Sequence, residues 1–191
     1  MADVVSARRR AAKSKIFVSV AVLAAIAGAA PAGASTQGSL GATSTGSVTI
    51  TASVANRAQI TGLTDVAFTN VDPASAATAA QSNCVWSNTA TKGYSITATG
   101  SGTSGAFTLA NGGLSVPYSV QWSASGGQTS GTALTAGTAL PGMTSTAANP
   151  TCSTGAATTS SLIISIAASN LQGMTSATSY TGSLTLLVTP Q

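Results

Sequence analysis

The sequence predicts an all-β sandwich, and three observations predict it. Apolar residues recur at every second position in at least six segments, turns rich in Gly, Asn, Ser and Pro separate those segments, and almost no stretch carries a helical period. In chain order the alternating stripes are Val48, Ile50, Ala52 and Val54 in SVTITASV; Tyr94, Ile96 and Ala98 in GYSITATG; and Phe107 with Leu109 in AFTLANGG. Val116, Tyr118, Val120 and Trp122 follow in VPYSVQW, where Pro117 marks a strand start or an edge because it has no N–H to give to a ladder. Leu162, Ile164 and Ile166 in SLIISIAA, and Leu184, Leu186 and Val188 in GSLTLLVTP, complete the set. The one stretch open to a helix is Asp72 to Asn83, whose alanines tolerate one with Asp72 as cap and Pro73 in its first turn; a loop is the equal alternative there.

Ahead of the strands lies a different kind of sequence. Arg8, Arg9, Arg10, Lys13 and Lys15 precede an apolar run, Ile16 to Ala30, that is short for a membrane span and is followed by PAGAS. A basic region, an apolar region and small residues in A-x-A form make a secretory signal peptide over residues 1–34, cut after Ala32-Gly33-Ala34. An uncleaved signal anchor is the alternative, and the residues after Arg10 do not continue as a twin-arginine leader would. Residues 35–46, STQGSLGATSTG, are small, polar and aperiodic, which predicts a flexible leader. Residues 47–191 are long enough for one domain with a real core, and the stripe at 47–54 is either its first strand or a strand given to another molecule.

The chain has 191 residues and a formal charge of +4, but the positive charge sits almost entirely in the first fifteen residues. Beyond residue 34, Arg57 and Lys92 are balanced by Asp65 and Asp72, so no basic patch is available for phosphates, and no nucleic-acid partner is expected. After signal cleavage no membrane segment is expected either. Cys84 and Cys152 are the two cysteines of an exported chain, where pairing into a disulfide is the default. A metal or redox site would need partners, and the chain has no His and no Glu.

The same scarcity bears on catalysis. A Ser-His-Asp triad needs a histidine, and a glycosidase pair would have to be Asp65 with Asp72, seven positions apart with nothing nearby in sequence to raise one pKa. Asp65, Asn70 and Asp72 offer oxygens to a calcium ion but lack the spacing of a calcium loop, and Lys92 stands in no recognisable catalytic signature. A non-enzymatic protein with no cofactor is therefore expected. Trp86 and Trp122 read as packing aromatics, with a sugar-stacking role as the alternative.

The chain ends in YTGSLTLLVTPQ, a strand pattern followed by only Thr189, Pro190 and Gln191, whereas chain ends ordinarily fray. An exported β-sandwich with this ending resembles the spore coat protein U domain, the family of archaic chaperone-usher pilins of the Csu type. The resemblance implies an immunoglobulin-like fold that lacks its last strand, which the N-terminal segment of the next subunit supplies by β-augmentation. It implies that Val48, Ile50, Ala52 and Val54 form the donor strand and that Leu184, Leu186 and Val188 form the strand beside it. It implies copies of the chain or related subunits as partners, a periplasmic chaperone and an outer-membrane usher in transit, and a final place in a fimbria or coat at the cell surface. One departure stands: the family usually carries a cysteine soon after the donor segment, and here the region reads ANRAQITG. From a different class, the rival expectation is a self-contained exported module that binds a glycan or envelope component through Trp86, Trp122 or Tyr118.

Overall fold

The computed structural model describes residues 35–191, so the expected signal peptide, residues 1–34, lies outside the described residues. Contacts divide the chain into two compact units, Met1–Ser53 and Val54–Gln191. Within the described part of the first, Thr36 and Ser47 form an isolated antiparallel bridge through both backbone N–H groups and their hydroxyls. The alternation in SVTITASV predicts a strand, yet residues 48–57 form none, and Val48, Ile50 and Val54 are 73%, 88% and 82% exposed. A strand forms only where a ladder partner exists, and among the described residues this segment has none.

The ten strands among the described residues fall in the second unit: β1 (Ala58–Thr61), β2 (Ala77–Ser87), β3 (Gly93–Gly100), β4 (Thr108–Asn111), β5 (Leu114–Pro117), β6 (Ser119–Ser123), β7 (Thr132–Ala133), β8 (Ala139–Thr144), β9 (Ser160–Ile166) and β10 (Leu184–Pro190). A single helical turn, α1 (Ala168–Gln172), follows β9. Five strands make one antiparallel sheet in the order β1-β2-β9-β6-β7, three make another in the order β10-β3-β8, and β4 pairs with β5. The expected all-β architecture is thus the observed one.

The core lies where the two larger sheets meet. Val85 of β2, Leu162 of β9, and Val120 and Trp122 of β6 pack with Tyr94, Ile96 and Ala98 of β3, all nearly or fully buried. At the centre the Trp122 indole N–H donates to the Tyr94 hydroxyl at 3.1 Å, giving each polar end a partner where water cannot reach. Burial pushes the Tyr94 hydroxyl above its ordinary pKa, and the indole donor offsets this in part. Hydroxyls also finish the backbone ladder past the start of β9: the Thr159 side chain accepts from the Val85 N–H and donates to the Val85 carbonyl, each at 2.9 Å.

The alanine-rich stretch after Asp72 is neither helix nor loop for most of its length. Asp72 Oδ1 accepts from the Ala74 N–H to form a turn, and from Ala77 the chain runs for eleven residues as β2, the sheet's longest strand. Alanine is a weak strand former, but pairing with β9 from Ala77↔Ile166 to Asn83↔Ser160 overrides that preference. Pro117 ends β5 and lies on an edge strand, since β5 pairs only with β4, and the stripe expected to be continuous breaks at Tyr118 into β5 and β6. In β8, Pro141 and Gly142 form a bulge: two steps of β3, Tyr94 to Ile96, face three steps of β8, Met143 to Leu140. Gly142 takes a φ of +77° there, a conformation that costs glycine little.

Cys84 and Cys152 form the expected disulfide, with their Cα atoms 6.0 Å apart and a sequence separation of 68. The bridge fastens β2 to the loop before β9, under a cover of Trp86 and Ala147.

Candidate functional site

After β1 the backbone leaves the sheet. Residues 62–71 run on without regular structure, and among the described residues they make no backbone-to-backbone hydrogen bond. What holds them is a side chain. Gln81 of β2 accepts from the Thr64 N–H at 2.8 Å and from its hydroxyl at 3.1 Å, and donates to the Thr64 carbonyl at 2.9 Å. The amide thus plays the part of a ladder partner for one residue and fixes this segment as a wall standing off the sheet. Val66 and Phe68 are half-buried and alternate with exposed Asp65, Ala67 and Thr69, so the wall turns one apolar face inward.

Opposite the wall stands β10. It pairs with β3 along its whole length, from Leu184↔Gly100 to Pro190↔Tyr94, and its other edge is the free edge of the three-stranded sheet. Leu184, Leu186 and Val188 are half-buried and turn toward the core, while Leu187 faces outward and is 59% exposed.

Between wall and edge strand runs a groove of about 1250 Å³. Leu162, Ile164 and Ile166 of β9 line it together with Leu184 and Leu186 of β10, Leu109, Tyr118 and Leu171; Val66 and Phe68 come from the wall, and residues 174–183, mostly polar, line it as well. Tyr118 stacks on Phe107 with ring centroids 5.7 Å apart, and burial pushes its hydroxyl above the ordinary pKa. Asp65 also lines the groove and is the one Asp, Glu, Lys or Arg in its lining among the described residues.

In its chemistry the groove joins apolar side chains of β9 and β10 with many hydroxyls and amides, and it is flanked by two runs of backbone that lack strand partners. Unpaired N–H and C=O groups beside an apolar floor are what an additional strand needs: ladder bonds on both sides and apolar slots at alternate positions. The chain matches no protein-family model and no curated protein. The groove therefore has to be read from its own residues.

The sequence-predicted residues are distributed unevenly around it. Leu184 and Leu186 line the groove, Val188 continues their stripe into the core, and Val48, Ile50, Ala52 and Val54 lie exposed in a segment without a strand. The three aromatics considered for ligand stacking are not brought together. Trp122 is 1% exposed between the sheets and out of reach of any ligand, Trp86 packs on the disulfide, and only Tyr118 reaches the groove. Asp72 has an oxygen committed to its own turn, and Lys92 Nζ donates to the Ala147 carbonyl at 3.2 Å. Sequence reasoning missed the wall: Leu63 to Val71 carries no clear period, and the one legible sign was a run of Val66 and Phe68 between turn formers.

Proposed function

We propose that the chain is an exported structural subunit of a surface fibre, pilus-like or coat-like, assembled by strand exchange, in which the groove takes residues 46–54 of a second copy. One observation carries this reading: a single chain has both a groove with two unpaired backbone edges and an exposed alternating segment with no strand to pair with. Each of Val48, Ile50 and Val54, so exposed in the single chain, would contribute roughly 1.5 to 3 kcal/mol of transfer free energy on entering such a groove. The ladder bonds on either side add to this and set the register.

The reading agrees with the resemblance to the spore coat protein U domain and Csu-type pilins, including an immunoglobulin-like sandwich short of one strand. It implies export by the signal peptide, transit through the periplasm with a chaperone and an usher, and no enzymatic role. The rival, a self-contained binding module, loses its strongest aromatic because Trp122 is buried.

The test compares purified residues 35–191 with two variants by light scattering and electron microscopy. Wild type is expected to form linear assemblies. Ile50→Asp, which would place an unpaired carboxylate in an apolar slot, is expected to stay monomeric, while Thr49→Asp, on the opposite face of the segment, assembles. Equal assembly by wild type and Ile50→Asp would overturn the reading.

A further inference from the structure

On the reading just proposed a guest strand has to fill the groove, and the chain's own side chains already cover one end of it. Ile164 of β9 and Leu184 and Leu186 of β10 line the groove half-buried, whereas Ile166 and Leu171, at the end beside α1, line it at 1% and 4% exposure. Met174 and Tyr180 pack on these two, together with Phe68 and Val71 of the wall. Met174 and Tyr180 are half-buried and the five residues between them are exposed, so the segment 174–180 is a strap that lays two apolar side chains over that end.

Side chains hold the strap in place. Among the described residues, 175–180 make no backbone-to-backbone hydrogen bond. The Tyr180 hydroxyl accepts from the Thr175 N–H at 3.2 Å, the Thr178 hydroxyl donates to the Thr175 carbonyl at 2.6 Å, and Asn111 Nδ2 at the end of β4 donates to the Ser179 carbonyl at 2.7 Å. All three bonds are exposed, and Ala177 takes a φ of +58°, which costs a residue that carries a Cβ. The ends are firmer: the Met174 N–H donates to the Leu171 carbonyl at 3.1 Å, and Thr181 exchanges both backbone bonds with Ala110 of β4, at 2.8 and 3.0 Å. A short segment with fixed ends and exposed latches opens more readily than the sheet beside it.

We infer that residues 174–180 are a strap that closes one end of the groove in the free chain and swings out when the guest strand, residues 46–54 of a second copy, enters. What the guest gains is the apolar surface of Ile166 and Leu171, which Met174 and Tyr180 cover until then. Because the strap has to open for full insertion, association is slowed by the fraction of time it is shut, and weakening a latch speeds it.

The experiment follows a fluorescently labelled peptide of residues 46–54 as it associates with residues 35–191 carrying Ile50→Asp, which leaves the groove free. Two further variants are made in that background. Tyr180→Phe keeps the ring on Ile166 and Leu171 but cannot accept from Thr175, and Asn111→Ala removes the tether to Ser179. Each is expected to speed association about fivefold, the effect of taking one exposed hydrogen bond from the closed state. Hydrogen exchange gives a second readout: with the peptide bound, the Thr175 amide is expected to exchange faster while amides on the free edge of β10 exchange more slowly. Unchanged association rates in both variants overturn the inference, and so does a Thr175 amide that gains protection on peptide binding, since the strap would then stay shut. Failure of the folded Ile50→Asp chain to bind the peptide at all overturns the strand-exchange reading, and the inference with it.

Discussion

The side-chain amide of Gln81 brackets the backbone of Thr64, accepting from its N–H at 2.8 Å and donating to its carbonyl at 2.9 Å. No strand holds the wall of the groove at this point; a glutamine does. Gln81→Ala is expected to cost about 1 kcal/mol of global stability, since the bonds are exposed, but to loosen residues 63–71 much more. Hydrogen exchange checks this: faster exchange over that segment with the β2 and β9 core still protected. Gln81→Glu keeps the bond from the Thr64 N–H and loses the one to its carbonyl, so its effect is expected to be smaller.

The buried pair Tyr94 and Trp122 makes a second prediction. Tyr94→Phe leaves the indole N–H without its partner inside the core and is expected to cost about 1 to 3 kcal/mol in urea unfolding. The pair also sets an alkaline limit. Tyr94 and Tyr118 both hold their proton more tightly folded than unfolded, so their contribution is fully present below pH 10 and is lost as the pH rises through the folded values. Tyr180 shifts the other way because its hydroxyl accepts from the Thr175 N–H, but the residue is only half-buried and solvent screens the effect. Stability measured between pH 9 and 12 is expected to fall for wild type and to fall less steeply for Tyr94→Phe.

The disulfide is the third. Closing a loop whose cysteines have a sequence separation of 68 contributes about 4 kcal/mol in the chain-entropy model, a large share of what one domain of this size possesses. Replacing both cysteines with serine is expected to lower the urea midpoint strongly. An unchanged midpoint would show that the loop before β9 is held by its hydrogen bonds alone, such as those of Ser145 and Thr159 to Val85.

Where the sequence was legible and where it was not follows from what each signal measures. Ile96, Leu162 and Leu186 sit in stripes that face a core, and period-2 burial finds such strands wherever the residues are bulky and apolar. β2 escaped because its first half is alanine, threonine and glutamine, residues whose strand conformation comes from the β9 partner rather than from themselves. β7 has two residues, and β1 sits in a run of mixed polarity; both owe their conformation to a neighbour. SVTITASV failed in the opposite direction, with a clean pattern and no ladder, because the pattern states what a segment can pair as and says nothing about where its partner is. The groove was half legible: its floor on β10 was in the stripes, while its wall depends on a contact between Gln81 and Thr64 that no local pattern encodes.

The central claim is that residues 46–54 are the occupant of the groove, and titration of full-length Ile50→Asp with a wild-type peptide of those residues tests it most directly. The variant keeps an empty groove and lacks a usable segment of its own. Calorimetry is expected to show saturable one-to-one binding of micromolar or tighter affinity, about −8 kcal/mol or better, together with a raised unfolding temperature. The same peptide carrying Ile50→Asp is expected not to bind. A folded Ile50→Asp chain that shows no heat and no stabilisation with the wild-type peptide would contradict the account.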